Sequence, residues 1–307
     1  MSFTLFAVQM LNGLQLGVLL FLIAAGLTLV FGVMDFINLA HGVQYMVGAF
    51  LAVFFFGLTG NFFAALVLAL LTALAFGILL EVLIFRHLYE RDHLDQVLAT
   101  FGVILFLNEA VKAIWGPAPL TLPTPEVFSG SFVLVEGLLY PTYRLVLIAA
   151  GLGVAVLLYG LVTRTRAGML VRAGASNARM VAALGVDIRR LFMIVFGFGA
   201  MLAGFAGIMA APILAVESGM GDNLLILAFV VIVIGGIGSI RGAFIAALIV
   251  GLVDTLGRSF ATDIFKLFLA PAAATDVGPA VASMLIYILM AAVLCFRPSG
   301  LFPAKAG

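Results

Sequence analysis

The sequence predicts an all-α fold, a polytopic bundle of transmembrane helices that forms a single domain over residues 1–307. Hydrophobic residues make up 65% of the chain and charged residues only 9%, whereas soluble domains are about half apolar and a quarter charged. The apolar runs are continuous, as in residues 61–85, and a transmembrane β-strand would instead alternate apolar and polar residues. Since a spanning helix takes roughly 20 apolar residues, the chain is long enough for about eight to ten spans.

Polar residues, glycines and prolines divide the apolar runs into nine candidate spans. Their expected limits are 8–33, 42–60, 62–85, 97–115, 142–163, 191–214, 224–240, 241–257 and 281–296. Residues 224–257 are the least regular, because glycines and Arg241 interrupt the apolar run between 233 and 244. This segment is either two short helices around a tight turn or one broken helix that lines a cavity, since irregular backbone at membrane depth must be covered by protein or face water.

The lysines and arginines of the short connections predict the orientation in the membrane. The connections 86–96 and 164–190 and the tail 297–307 are basic, so we expect them in the cytoplasm. The connections 116–141 and 215–223 hold four acids and no base, so we expect them outside. Nine spans place the N-terminus outside; the number of spans and the side of the N-terminus both stay open.

Several classes of protein and site are not expected. The first basic residue is Arg86, so no secretory signal peptide is expected at the N-terminus. A single cysteine, Cys295, excludes an internal disulfide, and a net charge of +1 indicates no nucleic-acid partner. The histidines His41, His87 and His93 are too scattered to predict a metal site. No Ser/His/Asp or Cys/His arrangement predicts catalysis.

The connection 164–190 is unusually long and basic. It has 27 residues and holds six of the twelve arginines against one acid, Asp187, whereas connections between bundle helices usually have about 2–8 residues. Ser176 is a suitable N-cap, residues 177–184 form a suitable short helix, and Gly185 is a suitable C′ residue.

Two features favour a docking element at residues 177–184 over the alternative, a solvated surface loop. One face of the short helix carries Asn177, Met180, Val181 and Leu184. Exposed apolar surface flanked by charge is typical of a partner site. The chain also has no G-x-x-x-x-G-K-[ST] motif. If ATP drives the protein, a separate chain must bind the ATP, and we expect this chain to bind no cofactor.

Residues 164–192, RTRAGMLVRAGASNARMVAALGVDIRRLF, resemble the cytoplasmic loop of LivH-type permeases of high-affinity branched-chain amino acid ABC importers. The pattern of that loop is R-T-x-x-G, R-A, M-A-x-x-x-G and a basic residue before the next span. Further stretches agree in the same order, at 26–42, 98–116, 230–248 and 297–302. The chain departs from the pattern at Ser176 and Asn177, where the family often has an acidic pair, and at Arg241, where proline is common.

The resemblance implies an integral permease subunit of a bacterial inner membrane that imports branched-chain amino acids. The implied partners are a second, homologous permease subunit (LivM-type), two ATP-binding subunits, a periplasmic amino-acid-binding protein and membrane lipid. The ATP-binding subunits would dock on the 164–190 loop and drive alternating access. The residues carried over to this docking surface are Gly168, Arg172, Asn177, Met180, Ala183, Leu184, Gly185, Arg189 and Arg190.

Polar residues inside the apolar runs are candidates for the transport pathway, because such groups are costly in a span and usually functional. They are Asn12, Gln15, Asp35, Asn38, His41, Asn108 and Glu109. On a continuous helix Asp35 and Asn38 would share one face; the alternative is a helix end at the interface, capped by one of the two. For Glu109 the alternative is a local ion pair with Lys112.

Other functions are compatible with the sequence. A permease for urea, short amides or other amino acids would have similar motifs, and the sequence identifies neither the substrate nor whether the permease pair is a heterodimer or a homodimer. An ion-coupled secondary transporter would be equally hydrophobic, but such proteins depend on several buried charges. This chain has few, and concentrates its charge in residues 164–190. The sequence therefore predicts a permease without enzymatic activity.

Overall fold

The computed structural model describes residues 3–135 and 138–302 and confirms the all-α fold. The α-helices of the described residues are α1 Phe3–Met34, α2 His41–Thr59, α3 Phe62–Leu83, α4 His93–Trp115, α5 Thr142–Arg164, α6 Arg166–Ala183, α7 Ile188–Ala210, α8 Asp222–Gly235, α9 Ile240–Phe265 and α10 Pro271–Phe296. An antiparallel hairpin of β1 Ser131–Val135 and β2 Leu138–Pro141 lies between α4 and α5. Glu136 and Lys305, which contribute to the predicted topology, lie outside the described residues.

Eight of the described helices are long and apolar enough to cross a membrane. They are α1, α2, α3, α4, α5, α7, α9 and α10. The predicted full span at 224–240 is wrong, because α8 has only 14 residues and ends at Gly235. At 1.5 Å per residue it is about 21 Å long, shorter than the roughly 30 Å of a hydrocarbon core.

The chain between Gly235 and Ile240 is a tight turn, so the first of the two interpretations of 224–257 is confirmed in outline. Gly236 and Gly238 have φ values of 102° and 77°, in the region that glycine adopts without strain. The side chain of Ser239 then caps α9 by accepting a hydrogen bond from the Gly242 N–H at 3.0 Å. Only α8 is short, however, since α9 continues far beyond the turn.

The spans predicted at 241–257 and 281–296 are both too short, because the polar residues between them are helical. In α9, Arg258 Nε lies 2.9 Å from a carboxylate oxygen of Asp254, one turn earlier, so the two charges compensate on one face of the helix. Pro271 lies in the first turn of α10, where the missing N–H has no helical partner to lose.

Helix α1 is the centre of the bundle and packs against α5, α7, α8 and α9. Glycines permit the close approach, because a Cβ would strike neighbouring backbone. A Cβ at Gly17 would lie 2.9 Å from the Ala247 carbonyl oxygen of α9, and a Cβ at Gly199 of α7 would lie 3.0 Å from the Gly26 carbonyl oxygen. The glycines therefore hold α7 and α9 directly against the central helix.

The chain between α1 and α2 is not helical, so the predicted helix face shared by Asp35 and Asn38 is wrong. Helix α1 ends at Met34, and Asp35 has a φ of 51°, in the left-handed region that interrupts a helix. Neither side chain caps α2, which has no side-chain cap hydrogen bond. Residues 35–40 instead form an irregular segment whose Phe36 is completely buried. We call residues 35–40 the α1–α2 break.

The α1–α2 break runs back beside the end of α1, so α2 begins beside the middle of the bundle. His41, the first residue of α2, has its Nε2 3.1 Å from the Ile23 carbonyl oxygen. Ile23 precedes the end of α1 by 11 residues, or about 16 Å of helix. Helix α8 begins at the same depth, because a Cβ at Gly42 would lie 2.6 Å from the Gly221 carbonyl oxygen. Two helix N-termini therefore meet inside the bundle.

Candidate functional site

The arginine-rich connection forms a helix, α6, that is broken at Asn177. Thr165 caps its beginning by accepting a hydrogen bond from the Gly168 N–H at 3.0 Å, so the segment before Ser176, which was not predicted to be helical, is helical as well. Asn177 itself is non-helical, with φ −159° and ψ 90°. The first part of α6 ends there, and a second short helix begins after it.

The sequence predicted Ser176 as the N-cap of the second helix, but Asn177 caps it instead. The Asn177 Oδ1 accepts a hydrogen bond from the Met180 N–H at 2.9 Å. The prediction for the other end is confirmed: Gly185 has a φ of 91°. Its N–H bonds to the Ala182 carbonyl at 2.9 Å, and the Val186 N–H bonds to the Val181 carbonyl at 3.3 Å, which is a Schellman C-cap.

The predicted apolar face of this short helix is only partly exposed. Val181 is buried against the bundle, whereas Met180 and Leu184 are 59% and 77% exposed. Asn177 precedes the helix as its cap, and so does not belong to a helical face. A Cβ at Gly185 would meet no atom within 4 Å, so the space beside this residue is open. We call residues 178–185 the docking helix, after the role that the sequence predicts for it, and its exposed apolar surface consists mainly of Met180 and Leu184.

Two residues of the predicted docking surface hold α6 against its own chain. Gly168 is buried, and a Cβ there would overlap the carbonyl oxygens of Leu161 and Val162 in α5. The guanidinium of Arg172 donates to the Val162 carbonyl. Both residues therefore position α6 on the end of α5; Gly168 is buried and Arg172 is exposed, and their part in a docking surface stays a prediction.

The other arginines of the segment remain on its surface. Arg190 pairs with Asp187 at 2.9 Å, and the same carboxylate caps α7 by accepting from the Arg190 N–H. Arg179 and Arg189 are exposed. Within the described parts of the chain, no carboxylate lies within ion-pair distance of either, so their charges are available to groups outside this chain.

A second cluster of polar groups lies inside the bundle, where α2 starts. Asn38 and His41 are completely buried. Gln44 and Tyr45, one turn further along α2, are 2% and 0% exposed. The side-chain atoms of Asn38 and Gln44, and the hydroxyls of Thr28 and Tyr45, have no hydrogen-bond partner in the described structure. Each such group costs about 1–3 kcal/mol of stability. Buried polar groups without a partner are unusual in native structures, and we call Thr28, Asn38, His41, Gln44 and Tyr45 the buried polar cluster.

The predicted pathway residues do not all lie at one place in the bundle. Asn38 and His41 belong to the buried polar cluster, whereas Asp35 is exposed at the end of α1. Glu109 forms the alternative local pair with Lys112, at 2.6 Å, and is exposed. Gln15 is buried with an unpartnered Oε1, and Asn108 has an unpartnered Oδ1. Asn12 accepts hydrogen bonds from Tyr140 and Arg144 at the other end of the bundle.

The sequence analysis missed Gln44 and Tyr45. They follow His41 at the i+3 and i+4 positions of a helix, a spacing visible in the stretch HGVQYM. The predicted span 42–60 starts one residue after His41, so its limits did not mark the helix face that His41 shares with these two residues. With α2 beginning at His41, the three side chains fall on one face.

Aromatic rings join the α1–α2 break to the start of α7. Phe36 packs against Tyr89 with ring centroids 5.4 Å apart, and Tyr89 packs edge-on against Phe192 of α7, also at 5.4 Å. The Ile37 N–H of the break donates to Gln96 Oε1 at 3.1 Å. Helix α7 follows the docking helix directly, so a continuous set of contacts joins the docking helix to the buried polar cluster.

Tyr89 is fixed by a buried carboxylate as well. Glu81, which is 1% exposed, pairs with Arg86 at 3.0 Å and accepts from the Tyr89 hydroxyl at 3.3 Å. Burial and the negative charge of Glu81 raise the pKa of Tyr89 above its usual range. The hydroxyl is therefore a neutral donor at physiological pH, and the ring keeps its place between Phe36 and Phe192.

Comparisons with known proteins agree with this architecture. The family described as "Branched-chain amino acid transport system / permease component" matches residues 9–294. The chain is 29% identical over 307 residues to the high-affinity branched-chain amino acid transport system permease protein BraD of Pseudomonas aeruginosa, across 95% of this chain and 94% of that protein. It is 28% identical over 285 residues to LivH of Escherichia coli K12, across 86% of this chain and 90% of that protein.

A more distant relative has the same description. The chain is 26% identical over 251 residues to the probable branched-chain amino acid transport permease protein LivH of Methanocaldococcus jannaschii, across 78% of this chain and 76% of that protein. No solved structure is significantly similar. Because the family match covers nearly the whole chain, from within α1 to the last turn of α10, this multi-pass membrane protein belongs to the permease components of branched-chain amino acid transport systems.

Proposed function

We propose that this chain is the permease subunit of an ATP-driven importer of branched-chain amino acids. The observation that carries the proposal is the docking helix: Met180 and Leu184 are exposed at a helix that is capped at both ends. Contiguous exposed apolar surface with a polar rim is typical of a protein contact, and Arg179 lies beside Met180 on the same helix. The relatives BraD and LivH are described as permeases for branched-chain amino acids, which supports the same substrate class here.

The proposed partners are inferred from the missing ATP-binding loop and from the exposed residues of α6. Its sequence has no ATP-binding loop, so two ATP-binding subunits supply the energy and this chain binds no cofactor itself. They dock on α6 from the cytoplasm, where Arg179 and Arg189 can pair with their acids or with lipid phosphates. A second permease subunit completes the membrane unit, and a periplasmic binding protein delivers the amino acid. The C-terminus lies on the cytoplasmic side of the inner membrane with α6.

The pathway passes the buried polar cluster. Helices that begin at membrane depth, as α2 and α8 do, are typical of transporter sites, because their N-terminal N–H groups bind polar parts of a substrate. Asn38 and Gln44 have unpartnered polar atoms beside these N-termini. When the docking helix moves, α7 and the ring of Tyr89 shift the α1–α2 break. The unpartnered groups then face the pathway.

A secondary transporter driven by an ion gradient fits less well. The buried acids Glu81 and Asp254 are each paired with an arginine, Arg86 and Arg258, at 3.0 and 2.9 Å. A carboxylate that is already neutralised by a fixed cation is a poor site for a coupling ion. The described spans therefore favour energy that enters through another subunit.

The test is uptake of labelled leucine into proteoliposomes that contain the permease pair and the ATP-binding subunits, with binding protein outside and ATP inside. We expect uptake to require both ATP and the binding protein. Gly185→Glu places a charged side chain in the open space beside the docking helix, and we expect it to insert normally but to lose ATP-dependent uptake. Uptake driven by an ion gradient without ATP would overturn the proposal, and normal uptake by the variant would overturn the docking contact.

A further inference from the structure

The end of the bundle that carries the β1–β2 hairpin has an open cavity of about 280 Å³. Its walls are formed by Thr124, Phe128, Ser129, Gly130, Pro141, Tyr143, Arg144, Pro212 and Ile213. The Tyr143 hydroxyl in this wall donates to the Met209 carbonyl of α7 at 2.9 Å. This hydrogen bond joins the start of α5, which carries Tyr143 and Arg144, to the end of α7 beside the cavity.

Arg144 is the charged residue of this cavity, and a neutral side chain holds it in place. Its guanidinium donates to the Asn12 Oδ1 at 2.8 Å, and the Tyr140 hydroxyl donates to the same oxygen at 3.0 Å. The amide nitrogen of Asn12 donates a hydrogen bond to the Gln9 Oε1 at 3.1 Å. Asn12 thus uses both ends of its amide to orient Arg144, and it leaves the positive charge uncompensated.

Other basic residues toward this end of the bundle have carboxylate partners. Lys112 pairs with Glu109 at 2.6 Å, and Lys266 pairs with Asp263 at 3.0 Å. In the described structure, Arg144 takes part in none of the ion pairs, and the residues that line the cavity include no acid. An arginine in this situation presents a planar set of N–H donors that matches a carboxylate.

We propose that this cavity binds a small carboxylate. On the proposed function, the ligand is the amino acid itself, held by its carboxylate on Arg144 before it enters the bundle. The volume is at the lower limit of small-molecule sites, which suits one amino acid. Arg144 and its partner Asn12 are thus the entry site, distinct from the buried polar cluster.

The test measures protection of a cysteine in the cavity wall. Ser129 lines the cavity and is exposed, and Cys295 is the single cysteine of the chain. Ser129→Cys in a Cys295→Ser background therefore gives one reporter. The assembled transporter in proteoliposomes is labelled with a membrane-impermeant thiol reagent, with and without leucine or leucinamide, first without and then with binding protein. We expect leucine to slow labelling several-fold and leucinamide, which lacks the carboxylate, to have no effect.

Arg144→Gln should abolish the protection by leucine, whereas the matched variant Lys112→Gln, which removes a paired cation at the same end, should retain it. Equal protection in Arg144→Gln, equal protection by leucinamide, or no protection at all would overturn the site. Protection that requires the binding protein would assign Arg144 to a protein contact and overturn it too. Uptake driven by ATP is measured in the same vesicles. Its failure alone would refute the proposed function and leave the carboxylate site intact.

Discussion

The side-chain oxygen of Asn177 accepts a hydrogen bond from the Met180 N–H at 2.9 Å, and this contact begins the docking helix. It stops the first part of α6 and restarts the chain in a new direction, because Asn177 is non-helical. Val181 then faces the bundle while Met180 and Leu184 face away from it. The cap therefore decides which apolar residues are left for a partner.

Met180→Ser is expected to weaken assembly with the ATP-binding subunits. Burial of a methionine is worth about 1.5–3 kcal/mol, so the affinity should fall at least about tenfold. The measurement is the amount of ATP-binding subunit that copurifies at graded concentrations. Met169→Ser is the matched control, because Met169 is 53% exposed on the other part of α6. Equal losses in the two variants would mean that the docking helix has no special role.

The ends of the docking helix could be predicted from the sequence only where local chemistry determines them. Gly185 was predicted as the C′ residue because a left-handed position favours glycine, whatever surrounds it. Ser176 and Asn177 are both good N-caps, and the choice between them follows from the packing of α6 on α5 through Gly168. Local propensity contains no information about that contact, so the predicted cap was wrong by one residue.

The gap between the candidate spans 8–33 and 42–60 predicted where the α1–α2 break lies, but its conformation could not be predicted for the same reason. The stretch 32–42 has no proline, and its apolar residues fit a helix. The helix stops because Phe36 is buried among Phe85 and Tyr89, which come from a distant connection. Arg144 was overlooked because its importance depends on Asn12, far away in sequence. The composition predicted the class of fold well, since lipid imposes apolar helices on any chain.

Gly207→Ala is expected to destabilise the bundle, because a Cβ at this position would overlap the Tyr45 carbonyl of α2. Overpacking of this kind costs about 1–3 kcal/mol. Gly153→Ala is the control, since a Cβ at Gly153 would meet no atom within 4 Å. Thermal unfolding of the purified permease should show a lower midpoint for Gly207→Ala alone. Two unchanged midpoints would contradict the close contact of α2 and α7.

Asn38→Leu separates a role in the pathway from a role in folding. Asn38 is buried with no partner for either polar atom, so replacing it with an apolar residue of similar size should leave stability unchanged or raise it by about 1 kcal/mol. Leucine uptake should nevertheless fall, because the polar group is lost. Thr100→Val is the control: Thr100 donates to the Gln96 carbonyl at 2.8 Å, inside α4, and uptake should persist. Joint loss of stability and uptake in Asn38→Leu would make Asn38 structural.

Variants of Tyr89 test whether its ring couples the docking helix to the α1–α2 break. Tyr89→Phe keeps the contacts with Phe36 and Phe192 and loses only the hydrogen bond to Glu81. We expect a stability loss of about 1 kcal/mol and normal uptake. Tyr89→Leu fills much of the volume but removes the ring. We expect assembled complexes that hydrolyse ATP at a normal rate and transport less leucine for each ATP consumed.

The decisive quantity is the ratio of uptake to hydrolysis, measured in the same vesicles for wild type, Tyr89→Phe and Tyr89→Leu. A merely structural role for Tyr89 would lower the amount of assembled complex, and so would lower uptake and hydrolysis together without changing their ratio. A loss of coupling lowers the ratio alone, because the ATP-binding subunits still close while Phe192 no longer moves Phe36. An unchanged ratio in Tyr89→Leu would show that motion reaches the buried polar cluster by another route, through the direct packing of α7 on α2.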